Sequence, residues 1–268
     1  MKKTNMYIRA GLAVVFGTMF VIGAVSMATD MLEYKKDRDV YDNAASVYQA
    51  EPVETDPVET DADIEPDVAD AAPISVDFDM LLADAPDVQG WLYCPGTSIN
   101  YPVVQGRDND QYLRHDYLGN YATAGSIFIE AANAPGFQDS NTVIYGHHMK
   151  DGSMFAGLSD WADQDFYDTH KEMWLLTPDQ DYRIELFSGY ITPATSDTYA
   201  VYQGPSDDFE VYLDKMLGQS DFDAGDDLAL NRDSRCVVLS TCDYTYQDAR
   251  YVLHGVLVPV DRGNQKSN

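Results

Sequence analysis

The stretch VVLSTCDYTYQDARYVLHG, residues 237–255, decides the reading of this chain. Two apolar, β-branched runs flank a polar turn, the pattern of two strands folded side by side. Cys242 closes the first run and Arg250 opens the second, so the turn returns Arg250 towards the level of Cys242. A thiol at a strand mouth reacts as thiolate, and a free pKa of about 8.5 leaves it mostly protonated at neutral pH. A reactive Cys242 therefore needs a cation or a base nearby. Arg250 offers a permanent charge for a thiolate or for the oxyanion of a tetrahedral intermediate. The competing reading pairs Arg250 with Asp243 or Asp248, and position alone does not choose between the two.

A base has to come from elsewhere in the chain. His115 and His170 lie in polar surroundings and read as surface or structural residues, and His254 sits inside the second strand as a packed side chain. VIYGHHMKDG, residues 143–152, is different: an apolar strand, a glycine, then His147 and His148 at its mouth. Gly146 permits a sharp exit and the close approach of a substrate. Neighbouring side chains diverge, and neither an H-x-x-x-H spacing nor a cysteine pair completes a ligand set, so no metal is expected there.

The rest of the chain supplies the compartment. With 17 basic against 45 acidic residues the formal net charge is −28, which argues against nucleic acid and against a polybasic grip on anionic lipid. Residues 1–9 form a short basic flank, and residues 10–29, AGLAVVFGTMFVIGAVSMAT, carry no charge. Twenty helical residues span about 30 Å, the thickness of a bilayer core, so this run is expected to be a transmembrane anchor with the rest of the chain exported. A cleaved signal peptide is the rival reading, with SMA at 26–28 as its site. Three cysteines leave at least one thiol unpaired. Cys236 and Cys242, six strand steps or about 20 Å apart, cannot pair with each other, and a pairing of Cys94 with either stays open.

Residues 30–75 read as a polar, partly helical stalk followed by an acidic, proline-containing segment without a basic residue, expected as a disordered tether. Globular texture runs over 76–262, and 263–268 form a short tail. Short apolar runs cut by Pro and Gly predict strands from Phe78 onward, with a hairpin over 172–191 around PDQD. Met154, Phe155, Leu158 and Trp161 share a helical face; Phe209, Tyr212, Leu213, Met216 and Leu217 mark a second helix, with Asp207 and Glu210 as a capping box. Many short strands with few helices point to a closed β-barrel with helical insertions.

VLSTC (238–242) followed by DYTYQDAR resembles the active-site strand and arginine of sortases, especially class B, and NTVIYGHHMKDGSMFAGL (141–158) resembles their histidine segment. GWLYCPGTSINYPVVQGRDNDQYL (90–113) and AGSIFIE (124–130) are similar to the family's early strands, and the resemblance covers roughly residues 88–260. Cys94 departs from the pattern, standing where an aliphatic residue is expected. The resemblance implies a mainly β fold, a closed eight-stranded sortase-type barrel behind one N-terminal transmembrane helix. It implies a catalytic set of Cys242, His147 and Arg250, with Asn109, Leu113, Tyr145 and Ser240 along a substrate groove and no cofactor. The implied activity is membrane-anchored transpeptidation. Cys242 would cleave a C-terminal sorting motif of surface proteins, and the acyl group would pass to an amine of the cell wall or a pilin. Two other readings compete. A papain-like hydrolase shares the Cys–His chemistry, but there the cysteine precedes the histidine in sequence, the reverse of the order here. A non-catalytic adhesin explains the anchor and the acidic stalk, and leaves the cysteine at the strand mouth without a role.

Overall fold

A computed structural model describes residues 2–50, 71–225, 228–260 and 262. The acidic segment 51–70 and the tail 263–268 lie outside the described residues. Eight strands close into a barrel: β3 (Val88–Tyr93), β4 (Asn100–Gln105), β5 (Ile127–Ile129), β6 (Asn141–Tyr145), β7 (Glu172–Leu176), β8 (Asp181–Pro193), β9 (Cys236–Cys242) and β10 (Ala249–Val260). Their order around the barrel is β10-β8-β7-β3-β4-β5-β6-β9. The pairs β4–β5 and β6–β9 are parallel and the others antiparallel. The hairpin around PDQD forms as expected, β7 and β8 joined across residues 177–180.

Alternation along β9 and β10 sends side chains to two faces that are both covered, which explains why both strands are largely apolar. Val237 and Leu239, with Tyr251 and Leu253, belong to the main core. Cys236, Val238 and Val252 point the other way, into a second cluster. That outer face is roofed by α4 (Asp207–Leu217), whose Phe209, Tyr212, Leu213 and Met216 are buried at the helical period. Its N-cap is Ser206, which accepts the Phe209 amide at 3.1 Å. The capping position thus falls one residue before the expected Asp207.

Two further expectations shift. Phe78–Asp84 is a helix, α2, and not a strand, because Asp77 caps it by accepting the Met80 amide at 2.9 Å. Met154, Phe155, Leu158 and Trp161 are all buried, but the segment is a 3₁₀ helix over Ala156–Ala162 followed by a short α3 (Gln164–Thr169).

The N-terminal helix α1 runs unbroken from Lys2 to Tyr48. Its residues Phe16, Met19, Phe20, Ile22 and Val25 are exposed, and it is long and apolar enough to cross a membrane by length and composition. The stalk is more than a spacer. Asp37, Tyr41, Ala44 and Tyr48, spaced i, i+4, i+7 and i+11, are buried against the barrel, and the last three join its core. Beyond the helix, β1 (Gln49–Ala50) pairs antiparallel with β2 (Ser75–Val76), and the Asp77 amide donates to the Tyr48 carbonyl at 2.8 Å.

Candidate active site

Cys242 lies directly opposite Arg250 across β9 and β10. The next pair outward, Asp243 and Ala249, is joined by an N–H···O bond of 2.9 Å. Hydrogen-bonded and non-hydrogen-bonded pairs alternate in an antiparallel ladder, so Cys242 and Arg250 form a non-hydrogen-bonded pair. In such a pair the Cβ atoms approach to about 4.5–5.5 Å and the side chains share a face. By the same alternation Val238, Ser240 and Cys242 face outward, which puts the thiol on the barrel's outer wall.

There the side chain opens into a cleft of about 280 Å³ lined by His147, Cys242 and Arg250 together with Asn109, Leu113, Tyr145 and Ser240. All seven residues singled out from the sequence meet in one place. Asp110, Phe128, Gly146, Ala194, Tyr199 and Thr241 also line it; nothing in the sequence around Ala194 and Tyr199 announces this, because the segment after β8 carries them in from a distance.

Arg250 is not spent on a neighbouring acid. Among the described residues it forms no ion pair, and its Nη1–H donates to the Ala249 carbonyl at 2.9 Å. Asp243, one of the two acids considered for it, accepts the Thr245 amide at 2.8 Å and shapes the turn. Asp248 has a left-handed backbone, φ 60°, a conformation that Asp tolerates better than most residues. The cation therefore stays available to the cleft.

His147 leaves β6 through Gly146, whose amide donates to the Ser240 carbonyl at 3.1 Å. A Cβ on Gly146 would stand 2.5 Å from Ile127 Cδ1 and 2.6 Å from Phe155 Cδ2. The glycine is thus demanded by core packing behind the strand, a reason different from the substrate approach expected for it. His147 Nε2 lies 2.9 Å from the Leu113 carbonyl; a carbonyl only accepts, so Nε2 carries the hydrogen and Nδ1 is the nitrogen that exchanges protons. Burial lowers the His147 pKa from its ordinary value, the Leu113 carbonyl pulling up and nearby Arg114 adding to the depression. His148 takes a different role, its Nδ1 2.9 Å from the carbonyl of Cys242.

The groove wall is braced from behind by Glu130. Its Oε2 accepts from Asn109 Nδ2 at 2.7 Å and from the Tyr145 hydroxyl at 2.9 Å. Burial first, then Glu130, pushes the Tyr145 phenol upward, while Arg250 pulls it down. Ser240 is buried, and its hydroxyl is 2.9 Å from that of Tyr199, whose ring stacks on Tyr145.

The other histidines are structural. His115 and His170 contact the carbonyls of Gln111 and Phe166, and His254 is fully buried with its ring stacked on Tyr190. All three cysteines are free thiols. Cys94 is buried and its pKa is pushed up to about 11 by desolvation; burial pushes Cys236 up as well.

A family model described as a sortase domain matches residues 92–258. Sortase B from Listeria monocytogenes is 32% identical over 260 residues, spanning 96% of this chain and 99% of the relative. A crystal structure of sortase B from B. anthracis superposes with a TM-score of 0.69 at 31% identity, covering 85% of this chain and 99% of that one. A substrate complex of Staphylococcus aureus sortase B gives 0.64 at 31% identity, covering 69% of this chain and 85% of the other.

Proposed function

The chain belongs to the sortase family, class B, and is a sortase transpeptidase; on that footing we propose that Cys242 is its nucleophile, His147 its proton carrier and Arg250 its oxyanion holder. One observation carries the assignment. Cys242 and Arg250 face each other as a non-hydrogen-bonded pair at the mouth of a cleft that His147 also lines. The Cys242 sulfur attacks the carbonyl of the scissile residue, a threonine in the sorting motif the family resemblance implies. The thiol proton passes to His147 Nδ1, the nitrogen left open by the Leu113 contact, and burial favours the neutral ring that can receive it. Arg250 holds the negative charge developing on the carbonyl oxygen. His147 then protonates the departing amine as the C–N bond breaks, leaving a thioester on Cys242.

An incoming amine, from a cell-wall precursor or a pilin lysine, attacks that thioester and releases the enzyme. Asn109, Leu113, Tyr145 and Ser240 shape the groove for an extended sorting peptide, with Tyr145 and Asn109 held by Glu130 and Ser240 acting through Tyr199. The exposed apolar turns of α1 support a single membrane crossing with the barrel, residues 76–262, outside the cell. Enzyme and membrane-held substrate then meet at raised effective concentration. The test is to incubate the full chain in detergent with a library of C-terminal sorting peptides and an amine acceptor. A cleaved and transferred product, with the acyl group trapped on Cys242 by mass spectrometry, is expected. Acyl transfer without modification of Cys242 would reject the assignment.

A further inference from the structure

One turn of α1 reaches both sides of His147. Asp37, buried, accepts the Ala124 amide at 2.9 Å. Tyr41 donates its hydroxyl to the Gly125 carbonyl and stands 3.3 Å from Ser126 Oγ. The 124–126 segment is pressed against the backbone of residues 112–113. The Ser126 amide donates to the Tyr112 carbonyl at 3.0 Å, and a Cβ on Gly125 would lie 2.6 Å from the Leu113 carbonyl oxygen. That oxygen is the one accepting from His147 Nε2. The first limb therefore runs from Asp37 and Tyr41, through one packed segment, to the carbonyl that fixes the imidazole.

The second limb starts one residue over. Arg38 Nη2 meets Asp151 Oδ2 at 2.5 Å, four residues beyond His147. Asp151 Oδ1 binds the Ser153 hydroxyl at 2.7 Å and its amide at 3.2 Å. This closes the loop whose Phe155 amide donates back to the His147 carbonyl at 3.0 Å and whose Met154 bridges His148. Met154 donates in turn to the Tyr101 hydroxyl at 2.9 Å, and the Tyr101 ring packs edge-on against Tyr41 at 5.3 Å. Both limbs thus converge on residues 37–41 of the helix.

Resting on the proposed role of His147, we infer that Arg38, Asp37 and Tyr41 are positioning residues: the C-terminal half of the N-terminal helix sets the orientation of the imidazole in the cleft. An ion pair that is half exposed on the arginine side adds little to global stability. Catalysis is more demanding, since displacement of a reacting group by about 1 Å can cost about 10²-fold. The two quantities therefore separate.

The experiment uses the full chain in detergent micelles, with a sorting peptide that the unaltered enzyme cleaves. Arg38→Gln and Tyr41→Phe should each lower kcat by about five- to ten-fold, with KM unchanged within about two-fold and Arg38→Gln leaving Tm unchanged. Lys36→Gln, exposed on the same helix, should do nothing. Arg38→Lys, which keeps a cation within reach of Asp151 and leaves the Asp151–Ser153 contacts in place, should retain most of kcat. Side-chain ¹⁵N spectra should show the His147 signals of Arg38→Gln and Tyr41→Phe moving away from the Nε2–H form, a readout that needs no substrate. Unchanged kcat and unchanged His147 signals in both variants, or a loss confined to KM, would overturn the inference while leaving the chemistry of His147 intact. Full turnover by His147→Ala would instead overturn the catalytic reading beneath it.

Discussion

Replacing Arg250 by lysine keeps the charge and removes the fork, which makes it the sharpest probe of the cleft. In the structure Nη1 is tied to the Ala249 carbonyl at 2.9 Å and the side chain lines the cleft, which leaves the remaining guanidinium N–H groups for the proposed oxyanion. A lysine has one ammonium on a flexible stem and cannot hold that anchor and the oxyanion together. Arg250→Ala also gives up a unit charge, worth about 4 kcal/mol at about 4 Å and an effective dielectric of about 20; loss of one oxyanion donor, common to both variants, typically costs about 3–4 kcal/mol, or about 10²–10³ in rate. Arg250→Lys and Arg250→Ala should both fall by that factor in kcat. Stability should barely respond, because the ground-state loss is one hydrogen bond to a carbonyl, about 1 kcal/mol; in a domain of this size that moves Tm by no more than about 4 °C. Peptide turnover followed by mass spectrometry, beside a thermal melt of the same preparation, measures both. A folded Arg250→Lys enzyme with near-normal turnover would refute the oxyanion role and return the arginine to strand pairing.

Cys242→Ala should abolish both cleavage and transfer, whereas Cys94→Ser and Cys236→Ser, altering buried thiols outside the cleft, should change melting more than turnover in a peptide assay. His254 is fully buried with no partner for either ring nitrogen among the described residues, and desolvation lowers its pKa to about 3. The unfolded chain then takes up this proton first, below about pH 6.5, so stability should fall as pH drops from there towards about 3, by about 1.4 kcal/mol per pH unit from this group. His254→Phe should flatten urea-melt stability over pH 6.5 to 5 relative to the unaltered chain; parallel slopes would count against it. Deleting residues 1–75 should leave a barrel that still unfolds cooperatively but melts lower, because it uncovers the surface under Tyr41, Ala44 and Tyr48; calorimetry showing no shift would mean that this helix face contributes nothing.

What could be read from the sequence is what local patterns encode. Two apolar, β-branched runs around a polar turn put Cys242 at a strand mouth and carried Arg250 back to its level, so the strand pair and its charge were legible in the sequence. The apolar face of α4 was equally plain, since 3.6-residue spacing survives in any packing. The Phe78 helix was missed because its apolar run is too short for periodicity to decide, and the Asp77 cap three residues before Met80 was the signal available. Met154–Trp161 kept its buried face, but only the part from Ala156 is helical and it is 3₁₀, a distinction that periodicity over so short a run does not resolve. The contacts of His147 with Leu113, of Glu130 with Asn109 and Tyr145, and of Arg38 with Asp151 depend on how distant segments meet, and no spacing along the chain records them. Polar residues 34–48 looked like a stalk for the same reason: the face they bury is made of tyrosines and alanines whose partners lie beyond residue 76.

The short pairing of Gln49–Ala50 with Ser75–Val76 changes what the acidic stretch can do. A spacer in series would set the reach of the barrel, and each added residue would move the cleft outward. Here the chain leaves the small ladder at Ala50 and re-enters it at Ser75, while the helix before Gln49 packs its own residues against the barrel. Doubling the length of chain between two fixed ends costs only about 0.6 kcal/mol, and the distance from Cys242 to the apolar turns of α1, held by the packed helix, should not follow that length. Insertions or deletions there should therefore change the charge beside the barrel without changing where the barrel sits on the helix, while a single residue added within 33–40 would turn the helix by about 100° and swing the barrel around its axis.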